Sequence, residues 1–84
     1  MKIEYDPRKA TTNFRKHGVS FEEAQSCLLD PHALVFEDPD ATGEVRFVLV
    51  GLRLLTLIYA LPDEQVVRLI SARLSTTKEV KNYA

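Results

Sequence analysis

Residues 13–24 read N13-F-R-K-H-G-V-S-F-E-E-A24, and the glycine in the middle decides how the N-terminal half of the chain folds. Arg15, Lys16 and His17 stand before Gly18, and Glu22 and Glu23 follow it. Aligned peptide dipoles leave negative partial charge at a helix C-terminus and positive at its N-terminus, so cations suit the first place and carboxylates the second. Gly18 supplies the left-handed residue that commonly closes a helix. Ser20 and Glu23 form the Ser-x-x-Glu box that opens one. The stretch is therefore the junction of two helices.

Working back from it, Asp6 and Pro7 mark where the first helix begins. The Asp side chain can accept a free backbone N–H, and Pro loses nothing at the first helical position. Residues 2–5, KIEY, are a short strand before it. At 100° per residue, Ala10, Phe14 and His17 share one stripe, expected to face the core, while Lys9, Asn13 and Lys16 form a polar row on its flank. The second helix offers Phe21, Ala24, Cys27 and Leu28 as its apolar face and ends near Asp30 and Pro31.

Working forward, the pattern changes to strands at 33–37, 45–50, 52–60 and 66–73, rich in β-branched and aliphatic residues. Turn signals separate them at Asp38-Pro39-Asp40, at Gly51 and at Pro62-Asp63. Short connections imply an antiparallel meander. Segment 52–60 is apolar on both faces, which predicts a central strand covered on both sides. Thr76 and Glu79 repeat the capping-box spacing and open a short helix that runs to residue 84. The whole is one α+β domain over residues 1–84: an antiparallel sheet of four to five strands, two N-terminal helices packed on it and a short C-terminal helix.

Of the 84 residues, 45% are hydrophobic and 27% charged, the balance of an ordinary globular domain. No apolar run reaches the roughly 18 residues of a membrane span, and MKIEYDPRK has no apolar signal core, so a cytoplasmic location is expected. The single cysteine, Cys27, suits a reducing compartment. The net charge of −1 conceals blocks: residues 1–18 carry five Lys/Arg against two carboxylates, 19–45 carry seven carboxylates and no Lys or Arg, and 46–84 carry six cations against three carboxylates. If folding joins the two ends, a cationic surface results that attracts polyanions. The alternative is a solvated surface of mixed charge.

Four arginines, Arg46, Arg53, Arg68 and Arg73, fall in strand-like surroundings, and a guanidinium fork matches phosphate oxygens. Strict alternation puts Arg73 with Val67, Leu69 and Ser71 and Arg68 with Val66, Ile70 and Ala72. Arg73 then stands at a strand end, free to reach a cleft or to pair with the acidic segment 37–44. His17 carries an imidazole, which exchanges protons near neutral pH, or else caps the carbonyls of its own helix. The row Lys9, Asn13, Lys16 is a solvated helix face or a phosphate-contacting rim. His32 belongs to a surface loop. Cys27, His17 and His32 are too few and too scattered for a zinc site, so neither metal nor other cofactor is expected. Cys27 reads as core, and no glycine-rich phosphate cradle is present.

Taken together, Y5-D-P-R-K9, N13, K16-H-G-V-S-F-E-E-A24, D30-P31, R46-F-V-L-V-G51 and R68-L-I-S-A-R73 resemble the BrnT family of bacterial type II toxins, in order and over nearly the whole chain. The resemblance implies a RelE-like fold and a ribonuclease activity that inhibits translation and arrests growth. It also implies a cognate BrnA antitoxin whose ribbon-helix-helix part binds DNA, in a complex of two toxins and two antitoxins. The chain departs from the family pattern at Tyr5, where Trp is usual, at the short G51-L-R53 hairpin, and at Ala60, Leu61 and Pro62, where a Thr and an Arg often occur. RNA cleavage without metal suits the inventory, because the 2′-hydroxyl can attack its own phosphodiester. Arg73 and Arg46 are then the candidates for stabilising the pentacoordinate phosphate, Lys9 or His17 for proton transfer, and Arg8, Lys16 and Arg53 for RNA contact. Apolar strand surface at Val48, Val50 or Leu54 is expected to meet the antitoxin. The alternative is a catalytically weakened toxin-like subunit that serves as an interaction module in an antitoxin–DNA complex.

Overall fold

A computed structural model describes residues 1–51 and 54–83. Five strands, β1 (Lys2–Glu4), β2 (Leu34–Glu37), β3 (Arg46–Val50), β4 (Leu55–Asp63) and β5 (Val66–Leu74), form one sheet in the order β1-β5-β4-β3-β2. Helix α1 is Pro7–His17 and α2 is Phe21–Gln25, continued by a 3₁₀ turn over Ser26–Leu29; α3 is Thr77–Tyr83. The α+β class and the sequence of elements agree with the reading from sequence.

Local chemistry sets the helix ends. Asp6 accepts the Arg8 N–H, Gly18 sits at φ 72° with its N–H on the Phe14 carbonyl, and Ser20 Oγ accepts the Glu23 N–H. At α3 the box is reciprocal: the Glu79 N–H reaches Thr76 Oγ1 and the Thr76 N–H reaches Glu79 Oε1. The N-terminal bonds satisfy donors, and the Gly18 bond a carbonyl acceptor, that the helix itself leaves unpaired.

The expected meander holds from β2 to β5, where every neighbouring pair is antiparallel. It fails at the edge: β1 runs parallel to β5, pairing Lys2 with Val66 and Glu4 with Arg68, so the sheet is mixed. The reason is connectivity. Strands joined by tight turns must reverse, whereas β1 and β5 are separated by most of the chain and take the direction that the intervening helices impose.

One face of the sheet carries the main core. Val19, Phe21, Ala24 and Cys27 pack on Leu49, Leu57, Leu69 and Ala72, all buried. The 3₁₀ turn comes so close to the end of β3 that a Cβ on Gly51 would lie 2.9 Å from both Cβ and Sγ of Cys27. Central β4 is buried on both sides as expected, with Leu55, Leu57 and Tyr59 on the core face and Thr56 and Ala60 on the other.

Strand β5 departs from strict alternation. Ser71 pairs with Ile58 but Leu69 pairs with Tyr59, so Ile70 is an extra residue, a bulge. One inserted residue reverses the facing of everything beyond it. Arg73 therefore does not share a face with Val67 and Leu69, which with Ala72 enter the core; it joins Arg68 and Ser71 on the opposite face, in register with Thr56, Ala60 and Ile58. A second irregularity carries β4 through Pro62 to Asp63, moving the expected turn to Glu64 and Gln65.

Candidate nucleic-acid site

Helix α1 lies along the edge of β5, where the Asn13 side chain anchors it. β1 ends at Glu4, opposite Arg68, so beyond that point β5 has β4 on one side and no strand on the other. Asn13 fills that gap. Its Nδ2 donates to the carbonyls of Ala72 (2.8 Å) and Val19 (3.0 Å), and its Oδ1 accepts the Ala72 N–H (3.1 Å) and the Ser71 hydroxyl (3.4 Å). A carboxamide offers a donor and an acceptor side by side, as a peptide unit does, and so satisfies an edge that would otherwise be buried unpaired. Asn13 is accordingly 6% exposed and Phe14 56%. The expected rotation of α1 is corrected by this anchor: Asn13 is neither rim nor solvated face, and Phe14 does not enter the core.

With α1 fixed in this way, Lys9, Lys16 and His17 come together. They share a hollow of about 320 Å³ with Arg8 from the same helix and Ile70 and Ser71 from β5, the bulge residue and its neighbour. Among the described residues no carboxylate lines it. Among the described residues, Lys9, Arg15 and Lys16 have no ion pair, and Arg8 reaches Asp6 only at 3.9 Å with its side chain almost wholly in solvent. The hollow is a concave, cationic, partly apolar surface, suited to an anion with a hydrocarbon or ring portion.

The arginines of the sheet are differently placed. Arg73 lies two residues beyond Ser71, but its fork is engaged: Nη1 and Nη2 donate to Glu79 Oε1 and Oε2 at 2.7 and 2.9 Å. Glu79 also accepts from the Thr56 hydroxyl and the Thr76 N–H. Those bonds, that from Arg73 foremost, hold the Glu79 carboxyl down at about 2, and the same bond raises Arg73 above the ordinary guanidinium value. The pairing expected with segment 37–44 is thus made with α3 instead. Arg68 takes Glu44 from that segment at 3.1 Å and Glu4 at 3.2 Å. Arg46 is in the same row as Arg68, across Ala60, two strand spacings or about 10 Å from β5. Its Nε is buried with no hydrogen-bond partner among the described residues. Arg53 lies outside the described residues. His32 is exposed in its turn, with its N–H on Asp30 Oδ1. The structure unites Lys9, His17, Lys16 and Arg8, and leaves Arg46 apart.

A family model described as the ribonuclease toxin BrnT of a type II toxin-antitoxin system matches residues 5–79. The chain belongs to the BrnT family. Among solved structures, the Brucella abortus ribonuclease toxin BrnT, a crystal structure at 1.1 Å resolution, is similar with a TM-score of 0.69 and 28% identity, over 92% of this chain and 99% of that one. No curated protein matches the chain at a significant level. Membership makes this a toxin of a type II system and a ribonuclease at the level of the family, with an antitoxin as partner and RNA as substrate. Three residues that line the hollow were missed by sequence reading: Thr12 on α1 and, facing that helix, Ser71 and Ile70. The bulge that turns the latter two toward α1 leaves no local signal. Among the described residues no three His, Cys, Asp or Glu side chains are grouped to hold a metal ion, and no helix is long and apolar enough to cross a membrane.

Proposed function

We propose that this chain is a cytoplasmic, metal-independent RNA endonuclease whose scissile phosphate lies in the hollow between α1 and β5. What carries the reading is one observation: Lys9, Lys16 and His17 converge beside the Ser71 hydroxyl with no carboxylate among them. In this scheme Lys16 holds the phosphate oxygens, joined by the Ser71 hydroxyl once its hydrogen turns from Asn13 Oδ1, and Arg8 holds a flanking phosphate. His17 takes the proton of the 2′-hydroxyl as O2′ bonds to phosphorus. The P–O5′ bond breaks, and the leaving oxygen takes a proton from Lys9, so the products are a 2′,3′-cyclic phosphate and a 5′-hydroxyl. Arg73 contributes through N–H groups that Glu79 leaves free, and Arg46 with a more distant phosphate.

Neutralisation falls to a BrnA-like antitoxin. Val48 and Val50 are buried, so they cannot offer the apolar contact expected of them. Leu54, expected beside them, is exposed, as are Leu34, Val35 and Phe36 on edge strand β2, and Glu37, Asp38 and Asp40 have no ion pair among the described residues. An extended, basic antitoxin segment suits such an edge; a second copy of this chain would oppose acid to acid.

The test is purified chain incubated with RNA, with and without chelator, beside His17→Ala. Cleavage that survives chelation, yields cyclic-phosphate ends and falls by about 10²–10⁴ in the variant is expected. Loss of cleavage on chelation overturns metal independence. The engaged fork of Arg73 favours a second reading, the catalytically weakened interaction module. Folded chain that cleaves no RNA and arrests no growth, yet binds its antitoxin, would establish it.

A further inference from the structure

A second hollow, of about 330 Å³, opens on the other flank of α1, between that helix and the start of α2. Its walls are aromatic. Tyr5 and Phe21 meet edge to face with centroids 5.2 Å apart, and Phe14 stands over half in solvent beside them. The polar side chains that line it besides Tyr5 are Thr11, whose hydroxyl donates to the Pro7 carbonyl, Arg15, Ser20 and Glu22. Ser20 Oγ accepts the Glu23 N–H, which leaves its own hydrogen to donate. A roomy apolar recess with aromatic faces and a few groups able to donate and accept is the environment in which an unpaired base is held, by stacking and by bonds to its edge.

Its position relative to the cationic hollow strengthens the case. On a helix of 100° per residue, Lys9 and Lys16 lie on one flank and Phe14 on the other, with Arg8 and Arg15 on the solvent crest between them. Arg8 lines the first hollow and Arg15 the second. A continuous band of positive charge therefore crosses α1, about 10–12 Å wide with its side chains, a gap that a short run of extended nucleotides can bridge.

We infer that the Tyr5–Phe14–Phe21 hollow is a nucleobase site, which takes one unpaired base of the RNA whose phosphates occupy the α1–β5 hollow. The inference rests on the RNA reading of that first hollow and adds a contact that is independent of charge. Phe14 supplies the stacking face, and Arg15 and Glu22 the groups that meet the edge of the base.

Affinity, read by fluorescence anisotropy with a short single-stranded RNA made uncleavable by 2′-O-methylation, tests it on the full chain. Phe14→Ala should weaken binding about tenfold to a hundredfold, since stacking on an aromatic side chain contributes that much per base, while Phe14→Tyr restores it. The dependence on salt should be unchanged in Phe14→Ala, because no phosphate contact is lost, and should fall by about one in slope in Lys9→Ala. A series of RNAs each abasic at one position should include one that wild type binds as weakly as Phe14→Ala binds the intact strand, with no further loss when the two changes are combined. If all abasic RNAs bind wild type equally well, or Phe14→Ala alters antitoxin binding alone, the base site is wrong while a Lys9→Ala effect keeps the RNA reading. Wild type that binds no RNA sinks both.

Discussion

Two groups of cations on this molecule are built in opposite ways. Arg68 and Arg73 rise from β5 and each is closed by carboxylates within 3.2 Å. Lys9, Arg15 and Lys16 stand on α1, and among the described residues none has an ion pair. The difference follows from surroundings. For Arg68 and Arg73, partly buried on the sheet, the carboxylates offset the cost of taking a charge out of water, whereas Arg46 on β3 has no ion pair among the described residues. An ammonium on an exposed helix keeps its hydration, and leaving it open costs little while it raises the potential seen by an approaching polyanion. Charge that is paired internally holds the fold; charge left open is available to a ligand.

The sharpest way to break that contrast is to exchange losses between the two groups. Lys9→Ala should lower RNA cleavage by about 10²–10³, the usual effect of removing one preorganised charge donor, with an unchanged melting temperature. Arg68→Ala should leave cleavage within about twofold. Equal losses in the two variants would erase the distinction. A smaller effect, on stability, is expected where the two regions are joined. Asn13→Ala strands the Ala72 N–H and two carbonyls, and should destabilise the fold by about 2–3 kcal/mol in denaturant melts; a loss under 0.5 kcal/mol would deny Asn13 its role as a substitute strand.

Smallest is the effect of Glu79→Gln, about 1–2 kcal/mol at neutral pH for the loss of a charge-assisted pair. Its pH dependence carries a sign. The Glu79 carboxyl is held at about 2 in the folded chain, below its ordinary 4.5, so the folded state favours the ionised form. The stability this adds is complete above pH 4.5 and disappears as pH falls through about 2. Wild type and variant should therefore converge in acid, and a gap that stays constant down to pH 2 would show that the pair contributes packing rather than charge.

Much of the fold was legible in short range. Asp6-Pro7, Gly18, Ser20 with Glu23, and Thr76 with Glu79 all act over four residues or fewer, and each forms the cap that its spacing implies. The buried middle strand was legible too, because a segment apolar on both faces has few other places to go. The site was legible as residue types only. Lys9, Lys16 and His17 could be picked out one by one, yet the partners that turn them into a hollow, Ser71 and Ile70, lie more than fifty residues away. Reading Phe14 as core failed for the same reason: helical periodicity fixes which residues share a stripe and says nothing about which stripe turns inward.

By itself, then, the sequence determined the elements, their ends and the blocks of charge, since those depend on dihedral preference, capping and dipoles that neighbours along the chain supply. Only the tertiary structure decided the parallel edge strand, the bulge at Ile70, the rotation of α1 about Asn13 and the closure of Arg73 by Glu79. Each of these satisfies a backbone group or a charge whose partner is distant in sequence, and such a partner exists only once the sheet has formed.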